Sequence, residues 1–128
     1  MKSSLTLTTD AIDESALVAN RVISEAMGAV VCFSGIVRGT EGNQSISGIQ
    51  YEAYTAMAEH QFRLLFDEIA SRWPVESIRL VHRLGWVRVN EVSLWVEVIA
   101  AHRGVAFEAT RYLIDEMKKR VPIWKQAR

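Results

Sequence analysis

Apolar and polar residues alternate over positions 4–8, the two-residue period of a half-buried strand. Over positions 10–25 the period changes. Ile12, Ala16, Leu17, Val18, Val22 and Ile23 fall near helical spacing, with Asp13 and Glu14 in the first turn and Gly28 as the stop, so a helix is predicted. Positions 29–37 are valine-rich and interrupted by Gly35, the pattern of a buried strand with a bulge or a close backbone approach. Positions 39–47 are polar with two glycines and read as a mobile surface loop. Alternation returns over 49–54, a strand. A one-faced helix follows over 57–73, with Ala58, Phe62, Leu65, Phe66, Ile69 and Trp73 on its apolar side and Pro74 as its end. Strands are predicted at 77–84, 86–89 and 93–101, then a last helix over 104–120 with Val105, Ala109, Tyr112, Leu113 and Met117 facing inward. Pro122 turns the chain into a short tail that Ile123 and Trp124 pin back to the body. Strands grouped between helices, without regular alternation, predict an α+β fold with a mixed or antiparallel sheet. No repeat or linker divides residues 1–128, so one domain is expected.

Composition narrows the class. Of the 128 residues 49% are hydrophobic and 23% charged, which argues against disorder and against a disulfide-stapled mini-protein. The longest unbroken apolar run, 28–33, falls far short of the roughly 20 residues of a membrane helix. The opening MKSSLTLTTDAIDES has no apolar stretch of the secretory kind. Cys32 is the sole cysteine, which excludes an internal disulfide and leaves no Cys/His metal cluster; it sits mid-strand and is expected to be buried and inert. A cytoplasmic protein with no metal or cofactor of its own is expected. Fifteen basic residues balance fifteen acidic ones, so no overall field draws nucleic acid or an anionic membrane.

The balance hides a local asymmetry. Lys118, Lys119, Arg120, Lys125 and Arg128 crowd the C-terminal end, and no carboxylate accompanies them after position 118. That end is the candidate anion site; the competing reading is a basic helix end answering its own dipole. With Pro122 breaking the helix, Lys118 and Lys125 converge although seven positions apart, and clustered lysines suit proton transfer or nucleophilic work. His102-Arg103 lies where a strand ends and a helix begins. Free N–H groups, an imidazole and a guanidinium fork there make a phosphate or carboxylate cradle, unless His102 simply holds the turn. Arg38 stands just past a buried strand beside Gly35, which leaves room for a ligand; a solvated strand-end arginine is the alternative. Ser34 lacks the partners of a Ser-His-Asp nucleophile. His60 and His82 read as structural, and Trp73, Trp86, Trp95 and Trp124 as core or subunit contacts.

Five segments taken together resemble the large, catalytic subunit of molybdopterin synthase, the MoaE family: GAVVCFSGIVR (28–38), YEAYTAMAE (51–59), HRLGWV (82–87), AHRGVAFEA (101–109) and KKRVPIWK (118–125). The resemblance implies an α/β hammerhead-type fold with an added antiparallel β subdomain. It also implies a sulfurtransferase of molybdenum cofactor biosynthesis. In such an enzyme a small ubiquitin-like (MoaD-like) partner carries sulfur as a thiocarboxylate on its C-terminal Gly-Gly tail. Two sulfurs pass in turn to cyclic pyranopterin monophosphate, making the dithiolene of molybdopterin. A homodimer of large subunits within a heterotetramer is implied as well. By motif, Arg38, His102 and Arg103 hold the pterin and its phosphate, Lys118 and Lys125 form the catalytic pair, and Ile36, Val37, Gln126 and Ala127 lend backbone contacts. Family members continue past the Trp-Lys pair with a longer tail whose basic residue reaches a neighbouring pocket. This sequence has Gln126-Ala127-Arg128 there, with Arg128 the one candidate substitute.

The cations agree with this chemistry, because a phosphate ester and an anionic tail that meet need positive charge between them. Two other classes remain open from the residues alone. One is a non-catalytic module that binds a ubiquitin-like tail or a small phosphate ligand; the other is a regulatory α+β domain with a small ligand at a dimer interface.

Overall fold

In the computed structural model, which describes residues 1–128, a four-stranded sheet carries most of the chain. Its strands are β1 (Lys2–Thr8), β2 (Ala29–Ile36), β6 (Val75–Arg83) and β8 (Val92–Ala100), in the order β1-β6-β8-β2. β1 runs parallel to β6 and the other pairs are antiparallel, so the sheet is mixed, as the element order predicts. A smaller antiparallel sheet, β7-β5-β9, is built from β5 (Gly48–Ala53), β7 (Gly85–Arg88) and β9 (Ile123–Ala127). Two long helices, α2 (Thr55–Arg72) and α3 (Arg103–Arg120), cover one face of the main sheet. No helix is long and apolar enough to cross a membrane.

Period-two alternation sorts the strands' side chains between the two faces. Ile78, Leu80, Val96 and Val98 meet Phe62, Leu65 and Ile69 of α2 and Leu113 and Met117 of α3 in the main core. Arg79, Val81, Trp95 and Glu97 point the other way, where α1 (Glu14–Ala19) meets Arg79 through the Leu17 carbonyl and the strap that follows it meets Glu97 through Arg21. β8 is therefore buried on both faces, which is why it reads as a near-continuous apolar run. The second face holds an ionic cluster. Glu97, 1% exposed, accepts from Arg21 Nε at 2.7 Å and from Arg79 Nε and Nη2 at 2.8 Å each. Arg79 also donates to the Leu17 carbonyl at 2.8 Å and lies over the Trp95 ring.

Four sequence expectations need correction. The helix expected over 10–25 lasts six residues: Asp13 caps it by accepting from Ala16 N at 3.1 Å, and Asn20 closes it. Arg21 is then drawn across the sheet to Glu97, so Val22 (78% exposed) and Ile23 lie outside the core despite their spacing, and β-branched residues add little helix propensity of their own. The polar loop at 39–47 contains a hairpin of β3 (Thr40–Glu41) and β4 (Gln44–Ser45), turned by Gly42 at φ 60°. The tail is a strand, β9, paired with β5 along five residues. Cys32 is exposed on the outer face of β2, where Arg21 Nη2 approaches its sulfur at 3.2 Å; partial burial pushes its thiol pKa up.

Gly48 opens β5, opposite Arg88 of β7, where no side chain fits. A Cβ there meets the Val87 carbonyl oxygen at 2.5 Å and the Trp86 ring at 2.7 Å. Gly48→Ala is therefore expected to strain the β5–β7 pairing and cost about 1–3 kcal/mol, read as a lowered urea midpoint.

Candidate active site

Three chain segments converge at one end of the main sheet, on the side covered by α3. The first is the end of β2. Its pairing with β8 slips between Gly35 and Ile36, where β8 carries the extra residue Ser93, and a Cβ at Gly35 would press to 3.3 Å on the Leu94 side chain. Beyond the slip, Val37 donates to the Glu91 carbonyl at 3.0 Å and accepts from Asn90 N at 2.8 Å. Its side chain is sealed in a small core with Ile49 and Val87, and this anchor delivers Arg38 to the surface.

The second segment is the last turn of α3, where Val121 N–H closes the helix on the Met117 carbonyl at 3.0 Å. The three cations of that turn differ. Lys119 reaches Glu116 at 3.3 Å, and Arg120 grips Glu68 with two bonds of 2.6 and 2.9 Å. Arg120, with Tyr112, holds the Glu68 carboxyl at about 2, and Glu68 in turn raises the guanidinium. Lys118 alone of the three has no carboxylate partner.

The third segment is β9, which places Lys125 opposite Tyr51. Lys125 lies 3.5 Å from Glu41 on the β3–β4 hairpin. Between these segments is a cleft of about 660 Å3, and Arg38, Lys118 and Lys125 all line it. Glu41 is the single carboxylate facing those three cations, so the cleft suits an anionic ligand. Phe33, Met117 and Val121 supply apolar wall for a flat or extended molecule.

Of the residues singled out in the sequence, Ile36, Val37, Arg38, Lys118 and Lys125 share this cleft. Gln126 and Ala127 do not line it: alternation along β9 turns Gln126 to the opposite face, and Ala127 packs beside the small core. His102 and Arg103 are exposed at the start of α3. Arg103 and Lys118 are 15 positions apart on that one helix, about 22 Å along its axis, so a single chain does not bring them together. Tyr51, Glu41 and His82 also line the cleft, although the sequence pointed to a structural role for His82 and to none for the side chains of Tyr51 and Glu41. Both Tyr51 and His82 lie in segments that resemble the family, but spacing alone does not tell which face of a strand a ligand meets.

The description "MoaE protein" belongs to the family model that matches residues 7–120, nearly nine-tenths of the chain. The chain belongs to the MoaE family. That match takes in Arg38, His102, Arg103 and Lys118 and ends before β9. Among MoaE relatives, the molybdopterin synthase catalytic subunit of Homo sapiens is 41% identical over 109 residues, 85% of this chain and 58% of that one. The Thermoplasma volcanium protein of the same description is 43% identical over 107 residues, 84% of this chain and 78% of that one. The chain thus spans little more than half the length of the human, rat and bovine relatives it matches. Two solved structures share the fold. Molybdopterin synthase from Staphylococcus aureus has a TM-score of 0.87 at 32% identity, covering 96% of this chain and 89% of that one. The complex of subunits 1 and 2 of molybdopterin-converting factor from Helicobacter pylori has a TM-score of 0.81 at 26% identity, covering 96% and 83%.

Proposed function

We propose that this MoaE protein is the catalytic subunit of a cytoplasmic molybdopterin synthase. It moves sulfur from the thiocarboxylated Gly-Gly end of a small ubiquitin-like subunit to cyclic pyranopterin monophosphate. The observation that carries this reading is the convergence of Arg38, Lys118 and Lys125 on one cleft, with Lys118 left without a carboxylate partner. The Helicobacter pylori complex of two subunits supports the two-protein assembly.

In this reading the nucleophile is the partner's sulfur, so the chain needs no reactive cysteine, and Cys32 lies on the outer face of the sheet away from the cleft. Arg38 meets the substrate phosphate with its guanidinium fork. Lys118 stands at the thiocarboxylate carbonyl and offsets the negative charge that grows on its oxygen. Lys125, steadied by Glu41, orients the substrate and helps the leaving group. The deciding experiment mixes the chain, the thiocarboxylated small subunit and cyclic pyranopterin monophosphate, and reads product as the fluorescent oxidised form of molybdopterin. Stable binding of the small subunit with no product favours the pure binding module instead.

His102 and Arg103 enter through the homodimer, since the length of α3 keeps them from the cleft of their own chain. Each copy's His102-Arg103 pair serves its partner's cleft and holds the phosphate there. Arg103→Ala and Lys118→Ala are then each inactive alone, and subunit exchange between them restores one intact site in mixed dimers. Random pairing brings activity back to about a quarter of wild type; a mixture as inactive as its components overturns the shared site.

A further inference from the structure

The cleft holds a buried imidazole that the sulfur-transfer reading leaves without work. His82, 6% exposed near the end of β6 and paired across the sheet with Leu94, forms part of the cleft wall with Lys118 and Lys125. Its Nδ1 lies 2.8 Å from the Arg83 carbonyl oxygen. A carbonyl only accepts, so Nδ1 carries the proton and Nε2 keeps its lone pair. Nε2 has no hydrogen-bond partner in the chain, and it is not sealed away either: the one buried polar side-chain atom without a partner is Arg83 Nε. The Tyr51 ring sits edge-on at 5.2 Å and 73°, which fixes the imidazole plane. The geometry is therefore a fixed ring with an open acceptor nitrogen in a cation-lined cleft.

We propose that His82 is the proton acceptor for the water that cleaves the acyl–sulfur intermediate in this cleft. The inference rests on the sulfur-transfer reading above. When a thiocarboxylate sulfur bonds to a substrate carbon, the sulfur stays joined to the partner's terminal carbonyl until that bond is broken. Water breaks it: a carbon–oxygen bond forms, the carbon–sulfur bond cleaves, and no electrons are gained or lost. One water proton passes to His82 Nε2 and from there to the departing thiolate. The partner's end leaves as a carboxylic acid that loses its other proton to solvent. Lys118 offsets the oxyanion of the same step, so the two side chains divide charge stabilisation from proton transfer.

Burial keeps the His82 imidazole neutral to a pH below the ordinary histidine range, and the bond to the Arg83 carbonyl opposes this only in part. The charged and titratable groups facing it around the cleft are Arg38 after β2, Glu41 on the hairpin, Tyr51 on β5, Lys118 on α3 and Lys125 on β9. The base is thus ready at neutral pH and is lost as pH falls through its lowered pKa.

His82→Asn keeps a donor for the Arg83 carbonyl and removes the acceptor at Nε2. Expected are a turnover about 100-fold lower or worse, unchanged affinity for the small subunit, and loss of the acid limb of the pH–rate profile. Intact-mass spectrometry of a single turnover should show the small subunit still joined through sulfur to the substrate. Wild-type turnover without that adduct in His82→Asn overturns the proposal. Should the variant fold poorly, nitrogen-15 NMR of the wild-type ring decides: an Nδ1-protonated tautomer whose Nε2 resonance shifts on adding the substrate supports the role, and an Nε2-protonated ring overturns it. A wild-type protein that makes no product overturns the sulfur-transfer reading and this role with it, whereas an active His82→Asn beside an active wild type overturns the role alone.

Discussion

Lys118→Ala should lower sulfur-transfer turnover by at least about 100-fold while changing affinity for the small subunit by only a few-fold. The split follows from how α3 ends. Glu116 and Glu68 occupy Lys119 and Arg120, so those two cations are spent on the helix end and its contact with α2. Lys118 faces the cleft without such a partner, so in the proposed reaction its charge is free to offset a developing oxyanion. A group that acts mainly in the transition state shows its loss in kcat, whereas a small subunit bound over a broader surface would scarcely register one missing ammonium. Lys118→Arg keeps the charge but changes the shape of the donor, and it should recover only part of the rate. Equal losses of rate and of partner affinity in Lys118→Ala would instead mark the residue as a docking contact.

The largest effect on stability is expected at Glu97, far from that chemistry. Its carboxylate is 1% exposed and satisfies two arginines, each with a quarter or less of its side chain exposed. Burial pushes the Glu97 pKa up, but the hydrogen bonds from Arg79 and Arg21 outweigh that and hold it below the usual carboxylate range. Glu97→Ala leaves both guanidiniums without a carboxylate, that of Arg79 over the Trp95 ring, and a cost of about 3 kcal/mol or more is expected. Thermal melting should shift down by roughly 10 °C. Removing Arg79 as well (Glu97→Met with Arg79→Met) should regain part of the loss, because the buried charge goes with its partner. The sign with pH follows from the lowered pKa. Stability from Glu97 is complete above the ordinary carboxylate value and fades as pH falls through the folded one. Glu68, held at about 2 by Arg120 and Tyr112, loses its contribution over the same direction of titration, between its usual 4.5 and that value. Wild-type protein should therefore become less stable on acidification below about pH 4.5, and Glu97→Ala should show a shallower acid slope.

Much of the architecture was legible. Long one-faced patterns fixed α2 and α3 to within two residues of their ends, because eighteen residues of regular spacing leave little ambiguity. The β2 slip at Gly35 was legible for a similar reason: a glycine inside a valine run removes the side chain that strand packing needs and so marks a bulge or a close approach. The segment after Ala19 was not. Val22 and Ile23 look like helix core, but their place is decided by Arg21 reaching Glu97, 76 positions away. Glu97 itself sits in an apolar run and gave no sign of its two partners. Cys32 misled for the complementary reason, since strand alternation places it on the exposed outer face.

At the site, the sequence by itself determined which residue types were present and that cations gathered at the C-terminal end. Local rules sufficed for that, since helix ends, proline breaks and charge runs act over a few residues. Tertiary structure decided which of those cations matter. Pairing of β9 with β5 set Lys125 opposite Tyr51, carboxylates from α2 and α3 took Arg120 and Lys119, and the span of α3 carried His102 and Arg103 away from Lys118. Each of those outcomes depends on contacts between residues distant along the chain, where hydrogen-bond register and helix length, not local propensity, set the distances.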